Sequence, residues 1–193
     1  MKKYIGLIIG SLLSASVMAE TPSYNFVQAG YVNADYADLQ PFDLVGFEFQ
    51  GSVELTDSVF TTGRFRMVDD TISSYTLEET NWQVGVGYQM PYGENTVFDV
   101  RLNYGDIAFD FSIPQGDFED SASHFSASSL ARHMLTDDIE VYAGLEWQKW
   151  KKGSDQKAYR LGSLYNFNEL AVGLEYVKYS DSSAYTLFAR YNF

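Results

Sequence analysis

The chain has 193 residues and a formal net charge of −13, because 26 acidic residues outnumber 13 lysines and arginines. This charge argues against a general nucleic-acid-binding protein, which needs a basic surface to displace counterions from phosphates. The sequence contains no cysteine, which excludes disulfide scaffolds, thiol catalysis and cysteine-ligated metals. Aromatic residues are frequent, with 15 Tyr, 14 Phe and 3 Trp, and indicate surfaces that face something other than water.

The first 19 residues have the pattern of a secretory signal peptide. Lys2 and Lys3 form a basic start, an apolar stretch follows from position 4 to 13, and Val17-Met18-Ala19 is typical of a cleavage site. A membrane anchor is the alternative, but the apolar stretch is shorter than the about 20 residues that a spanning helix needs. We therefore expect a signal peptide over 1–19 and one domain over 20–193.

The remaining chain alternates between apolar and polar residues in short runs, which is the signature of β-strands. In the clearest run, Trp82, Val84 and Val86 lie on one face, while Gln83 and Gly85 lie on the other. Ten such runs can be counted, and eight is the alternative because the third and sixth are weak. The runs are 24–34, 42–54, 58–67, 80–90, 96–105, 122–134, 138–149, 157–166, 169–179 and 184–193.

The connectors between the runs also alternate in character. Those after the second, fourth, sixth and eighth runs are tight, whereas those after the odd-numbered runs are mostly longer and acidic. No stretch after Ala19 is long enough for a membrane-spanning helix, so a membrane location would require a closed barrel. An even strand number with short turns at one end is typical of such a barrel. The pattern predicts an all-β fold, an up-and-down antiparallel transmembrane β-barrel.

The six arginines indicate what fills the barrel. All of them lie inside predicted strands on the polar face, which also carries six acids, whereas the lysines beyond the signal lie at loop ends. Arginine suits confined ion pairs better than lysine does, so we predict a lumen of paired charges. The alternative is an ordinary exposed face of a soluble β-sandwich. The predicted network comprises Glu48, Arg64, Arg66, Asp99, Arg101, Arg132, Glu140, Glu146, Arg160, Glu175 and Arg190.

The apolar faces carry aromatic pairs six residues apart, and these pairs predict interfacial girdles. The pairs are Trp82/Tyr88, Phe98/Tyr104, Tyr159/Tyr165 and Tyr185/Tyr191. The alternative is the ordinary preference of aromatic residues for strands.

Together these features resemble a small Gram-negative outer-membrane β-barrel of the OmpX, Ail and opacity kind. The chain ends in Tyr191-Asn192-Phe193, which is similar to the family's C-terminal assembly signal. The segments Ser23-Tyr24-Asn25-Phe26-Val27 and Trp82-Gln83-Val84-Gly85-Val86-Gly87-Tyr88 also resemble a group of small barrels that open with that motif. The resemblance implies the outer membrane as location, with lipid, lipopolysaccharide and the barrel-assembly machinery as partners.

Catalysis is not expected. His124-Phe125-Ser126 resembles the His-x-Ser of lipid A deacylase barrels, with Glu140 as a possible third residue. However, a tight turn at Asp137 would place Glu140 about 30 Å along the strand from Ser126, and a triad needs hydrogen-bond reach. An omptin-like protease would need walls that rise well above the membrane, and the runs are too short for that. We expect no cofactor and no metal.

Two functions remain open. The first is an envelope-structural or surface-interaction role, in which Trp147, Lys149 and Lys151 at the outer end of the seventh strand contact lipopolysaccharide phosphates. A basic loop that merely aids solubility is the alternative for these residues. The second function is a narrow diffusion pore of low conductance, and a secreted soluble β-protein comes third.

The acidic connectors are expected to form a solvated rim rather than a site for divalent cations, because they lack EF-hand spacing. Their residues are Asp35, Asp38, Asp69, Asp70, Glu78, Glu79, Asp106, Asp110, Asp117, Glu119 and Asp120.

Overall fold

The computed structural model describes residues 22–193, so the predicted signal peptide lies outside the described residues. The described part contains ten β-strands and one short 3-10 helix (Ala37–Leu39). No helix within it is both long enough and apolar enough to cross a membrane. The strands are β1 (Phe26–Tyr36), β2 (Leu44–Glu54), β3 (Val59–Ile72), β4 (Tyr75–Tyr92), β5 (Thr96–Ile113), β6 (Gly116–Met134), β7 (Ile139–Trp150), β8 (Gln156–Phe167), β9 (Leu170–Lys178) and β10 (Ser182–Asn192).

The ten strands form a closed barrel in which each strand pairs antiparallel with its neighbours in the chain. β1 and β10 close the ring over a ladder that runs from Phe26 opposite Asn192 to Tyr36 opposite Ser182. Closure gives every strand two hydrogen-bonded neighbours and leaves no open edge. The predicted fold class is confirmed, with ten strands and not eight.

Four strands are longer than the alternation predicts. β3 extends to Ile72, β4 begins at Tyr75, β5 extends to Ile113 and β6 begins at Gly116. Two connectors that were expected to be longer loops are therefore two-residue turns, 73–74 and 114–115. Backbone hydrogen bonds can extend a hairpin even where the side chains do not alternate between apolar and polar. The acidic residues therefore lie mostly in strand extensions instead of loops.

The extensions also correct one argument against a protease-like barrel. The 18 residues of β4 span about 59 Å along the strand, or about 45 Å of height at a ~40° tilt. An apolar band is about 25 Å tall, so the wall formed by β3–β6 does rise well beyond it. The prediction that the walls are short was wrong on this side of the barrel.

The wall presents apolar side chains outward and polar side chains inward. Exposed aromatic residues form two belts, near the mouth and near the termini, where "mouth" denotes the end of the barrel away from the termini. In the belt near the mouth, Trp82 lies 5.8 Å from Tyr104, and Tyr176 lies 4.6 Å from Tyr185, between ring centroids. In the other belt, Tyr165 lies 4.6 Å from Phe167. The predicted girdle pairs contribute one member to each belt.

Inward-facing aromatic rings occupy the space that interior glycines leave on the next strand. A Cβ built on Gly87 would lie 2.1 Å from the ring of Phe60, and one on Gly162 would lie 2.2 Å from the ring of Tyr142. Phe60 is fully buried and Tyr142 is 7% exposed. Inward-facing side chains thus occupy part of the ten-stranded interior at these levels.

Candidate functional site

All six arginines point into the barrel, and five of them stand within hydrogen-bond or ion-pair distance of a specific partner. Four of these form ion pairs with carboxylates. Three arginines each contact one carboxylate, and Arg160 contacts two. The ion pairs are Arg66–Glu79 at 2.6 Å, Arg101–Asp99 at 2.7 Å, Arg132–Glu140 at 2.7 Å, Arg160–Glu175 at 2.8 Å and Arg160–Glu146 at 3.8 Å. Their side chains are at most 18% exposed, so these charges are largely removed from water.

The layer nearest the termini is built on Arg132. Its guanidinium donates to both oxygens of Glu140, at 2.7 and 3.0 Å, and to the backbone carbonyl oxygen of Ser23 at 2.7 Å. The same guanidinium lies 4.8 Å from the ring centroid of Tyr24. Arg132 therefore ties the segment before β1 to the opposite wall of the barrel.

Tyr24 lies outside the strand to which the sequence pattern assigned it. The first run was expected to begin at position 24, but β1 begins at Phe26, and Tyr24 turns inward below it. Its hydroxyl donates to Asp99 at 2.7 Å and its ring lies 4.3 Å from that of Phe60, so the side chain is 1% exposed. Tyr24 thus covers the terminal end of the lumen.

The middle layer encloses a small cavity. Arg101 makes a two-bond contact with Asp99, at 2.7 and 2.8 Å, and Arg160 lies between Glu146 and Glu175. These arginines, with Arg64, line a cavity of about 40 Å³. A volume of that size holds only a few water molecules, since each needs about 10–15 Å³ measured in this way.

The layer nearest the mouth depends on Glu79, which sequence analysis assigned to the solvated acidic rim. Glu79 is instead fully buried, because residue 79 faces inward in the β4 extension. It accepts hydrogen bonds from Arg66 at 2.6 Å and from the Tyr36 hydroxyl at 2.5 Å. An apolar cluster adjoins this group, with Phe42 and Phe111 packed against it. The buried members of the cluster are Val32, Ala34, Leu44, Val68, Leu77 and Ala184.

In the part of the chain that the structure describes, three predicted network residues have no ion pair within 4 Å. Arg190 donates to the side-chain oxygen of Gln28 at 2.9 and 3.1 Å and lies 4.0 Å from the ring centroid of Phe26. Glu48 is buried, and its Oε1 has no hydrogen-bond partner within the protein. Arg64 lines the central cavity. The polar face of a strand identifies inward residues, but it does not determine which of them pair.

The structure keeps the His-x-Ser segment apart from Glu140. His124 and Ser126 pair with Trp150 and Gln148 across the β6–β7 ladder, while Glu140 pairs with Met134. Ser126 is eight residues from Met134, about 26 Å along the strand. The Ser126 hydroxyl accepts hydrogen bonds from Gln83 and Asn103, both at 3.0 Å. These three residues cannot act together in a catalytic triad.

A second group of functional candidates lies on the outer wall near the mouth. Trp147 and Lys149 point outward from β7, and the Lys151 ammonium lies 5.6 Å from the ring centroid of outward-facing Tyr104. Lys157 stands opposite Trp147 in the β7–β8 ladder. We call Trp147, Lys149, Lys151 and Lys157 the basic rim. The interior cations are arginines, whereas these wall cations are lysines.

The C-terminal residues complete the barrel seam. Tyr191 faces outward opposite Val27, and the backbone N–H of Phe193 donates to the carbonyl oxygen of Asn25 at 3.0 Å. Their role as an assembly signal stays a prediction.

Replacing Glu79 with glutamine should destabilise the barrel by about 3–5 kcal/mol, because Arg66 would lose the buried carboxylate to which it donates at 2.6 Å. The measurement is the free energy of unfolding from a urea titration of the chain refolded in detergent. Asp120→Asn is the matched control, since it breaks the exposed Lys152–Asp120 pair and should leave the unfolding curve unchanged. A Glu79→Gln variant as stable as the parent chain would contradict a structural role for this pair.

Comparison with known proteins agrees with this architecture. The family described as "outer membrane protein beta-barrel domain" matches residues 5–177. No curated protein sequence that was compared matches the chain.

Among solved structures, the KdgM porin in complex with disordered oligogalacturonate is 9% identical with a TM-score of 0.53, covering 86% of this chain and 99% of that one. The β-domain of the Bordetella autotransporter BrkA is also 9% identical with a TM-score of 0.53, covering 87% and 98%. Ail of Yersinia pestis is 13% identical with a TM-score of 0.49, covering 87% and 97%. At these identities the first two likenesses show the fold alone.

The family match covers most of the chain, and it agrees with the closed barrel whose outer face carries apolar side chains. The chain belongs to the outer membrane protein β-barrel domain family and is a protein of the cell outer membrane.

Proposed function

We propose that this protein is a non-conducting barrel with a structural or surface-interaction role in the outer membrane. The observation that supports the proposal is that buried side chains lie across the lumen at three successive levels. Tyr24 covers the terminal end, the arginine pairs surround a central cavity of about 40 Å³, and the apolar cluster with the Arg66–Glu79 pair fills the end near the mouth.

The chemistry of these layers favours a closed state over a gated one. Opening a path would separate buried ion pairs or remove apolar residues from contact, and leaving one member of a buried pair uncompensated is strongly unfavourable. Interiors packed by side chains leave few voids larger than a water molecule. A narrow pore is therefore the weaker alternative.

The proposed role is non-catalytic. Glu140, the acidic residue suggested by the deacylase-like segment, is held by Arg132 at the other end of the barrel. Within the described residues, neither ring nitrogen of His124 has a hydrogen-bond partner, so His124 is not linked to a serine or a carboxylate as a triad requires. The inward polar groups are engaged mainly with one another, as expected of a structural network.

The outer rim supplies the contact with the envelope that we propose. In barrels of this kind the termini and short turns face the periplasm, which places the mouth and the basic rim at the cell exterior. There the rim's lysines stand beside Trp147 and Tyr104, at the level where amphipathic rings and long cationic side chains meet lipid headgroups. We propose that the basic rim binds lipopolysaccharide phosphates.

A planar-bilayer recording tests the closed lumen. The refolded mature chain should give no reproducible single-channel steps, because no continuous aqueous path crosses the three filled layers. Folding is checked beforehand by heat-modifiable migration on a denaturing gel. Reproducible steps from the folded protein, with a conductance or selectivity that changes in an Arg101→Gln variant, would instead establish a pore.

Lipopolysaccharide binding is tested with a Lys149→Ala/Lys151→Ala double variant. Lipopolysaccharide should raise the unfolding temperature of the parent chain, and the variant should lose most of that gain, since each lysine near an anionic surface contributes about 1 kcal/mol. Lys152→Ala is the control, because Lys152 pairs with Asp120 at 3.1 Å. An equal gain in parent and double variant would rule out the basic rim as the contact.

A further inference from the structure

A cavity of about 270 Å³ lies at the mouth, above the Arg66–Glu79 pair. Its walls come from the ends of strands on all sides of the barrel and from the connectors at 37–43 and 179–181. Its lining residues include Tyr36, Asn81, Phe109, Trp150 and Gln156. The cavity shares no lining residue with the central one or with the basic rim, and it adjoins the layer nearest the mouth through Arg66 and Tyr36.

Aromatic residues form fixed walls of this mouth cavity. Trp150 is backed by His124, with ring centroids 4.4 Å apart. Tyr36 lies edge-on to Phe109 at 5.7 Å and is held by its hydrogen bond to Glu79. Rings that are held in place lose little freedom when a ligand binds, which favours binding.

Three polar atoms of the lining residues are buried and have no hydrogen-bond partner among residues 22–193. They are the acceptors Asn81 Oδ1 and Gln156 Oε1 and the donor Trp150 Nε1. Asn81 as a whole is 7% exposed. Buried polar atoms almost always have a partner, so these three atoms define the hydrogen bonds that a ligand would complete.

The charges around the cavity disfavour an anion. Within residues 22–193, Arg66 is the one cationic side chain that lines the cavity, and Glu79 and Tyr36 already engage it. Asp181 lies at the rim and accepts from Gln156 at 2.5 Å. Asp120 also lies there, and its hydrogen bond from Lys152 lowers the pKa of its carboxyl group, which keeps it charged. The cavity therefore offers no free positive charge to an anionic ligand, whereas a neutral ligand needs no counter-charge.

We propose that the mouth cavity binds one neutral hexose ring. Sugar hydroxyls donate to Asn81 Oδ1 and Gln156 Oε1 and accept from Trp150 Nε1, while the C–H faces of the ring contact the aromatic walls. A site of this volume, at the lower end of the range for small-molecule pockets, takes one ring, and the remainder of a longer saccharide extends into solvent. The proposal is independent of whether the lumen conducts and of lipopolysaccharide binding.

The test is a fluorescence titration of full-length mature protein in detergent, with Trp150 as the single tryptophan after Trp82→Phe and Trp147→Phe. Both replaced residues lie on the outer wall, away from the cavity. Glucose, galactose and mannose are titrated separately up to about 100 mM, well above a millimolar dissociation constant, with galacturonate as the anionic comparison. A saturable change with at least one neutral hexose, and weaker binding of galacturonate, supports the proposal.

Variants assign the binding to the cavity. Asn81→Ala and Gln156→Ala should each weaken hexose binding at least tenfold, whereas Asn33→Ala should leave it unchanged, because Asn33 bonds to Asp43 in an exposed position outside the cavity. The proposal is overturned if no hexose gives a saturable signal, if both cavity variants bind like the parent, or if galacturonate binds more tightly.

A hexose ring can come from the end of a glycan chain or from a free sugar. Disaccharides of the same hexose distinguish these two sources. Binding equal to or tighter than that of the monosaccharide assigns the cavity to the end of a glycan chain. Binding of the monosaccharide with exclusion of its disaccharides assigns it to a free sugar, and both results support a hexose site.

Discussion

Six arginine side chains point into a barrel too narrow to hydrate them, and the rest of the interior is arranged around that constraint. A buried charge without a partner is strongly unfavourable, so carboxylates, a glutamine and tyrosine hydroxyls surround the guanidinium groups. Arg132 shows the consequence most clearly, because it binds Glu140 and also holds the segment before β1 through Ser23. The same pairs that satisfy the charges also occupy the space a solute would need.

The closed interior that we propose leaves two surfaces for function. The first is the outer wall, where the aromatic belts lie and where, near the mouth, we propose that the lysines of the basic rim contact lipopolysaccharide. The mouth is shaped by the long β3–β6 wall and the 37–43 connector, which enclose the cavity lined by Asn81, Trp150 and Gln156. Lysine outside and arginine inside reflect their chemistry, since lysine keeps its hydration and arginine forms fork-like pairs.

The fold could be predicted from sequence because period-two alternation is strong wherever one face meets lipid. That signal ends near residue 105 in β5, where the lipid-facing band ends, although the backbone ladder continues to Ile113. The same limit applies to β4, where the alternation begins at residue 80. Glu79 lies just outside that run and was assigned to the acidic rim, although it is buried. Tyr24 was placed in a strand because the alternation of the first run begins before the hydrogen bonds do. Partner choice among inward residues, such as Arg190 with Gln28, depends on the register of strands that are far apart in the chain.

The absence of cysteine from the sequence allows a direct measurement of whether the lumen is closed. Ser128 lines the central cavity, and Ser74 lies in the exposed turn between β3 and β4, so single Ser128→Cys and Ser74→Cys variants can be compared with a membrane-impermeant maleimide. For a closed lumen, the folded Ser128→Cys variant stays unlabelled and reacts only after denaturation, while the Ser74→Cys variant reacts at once. Labelling of both folded variants at similar rates would contradict the closed, ion-paired interior.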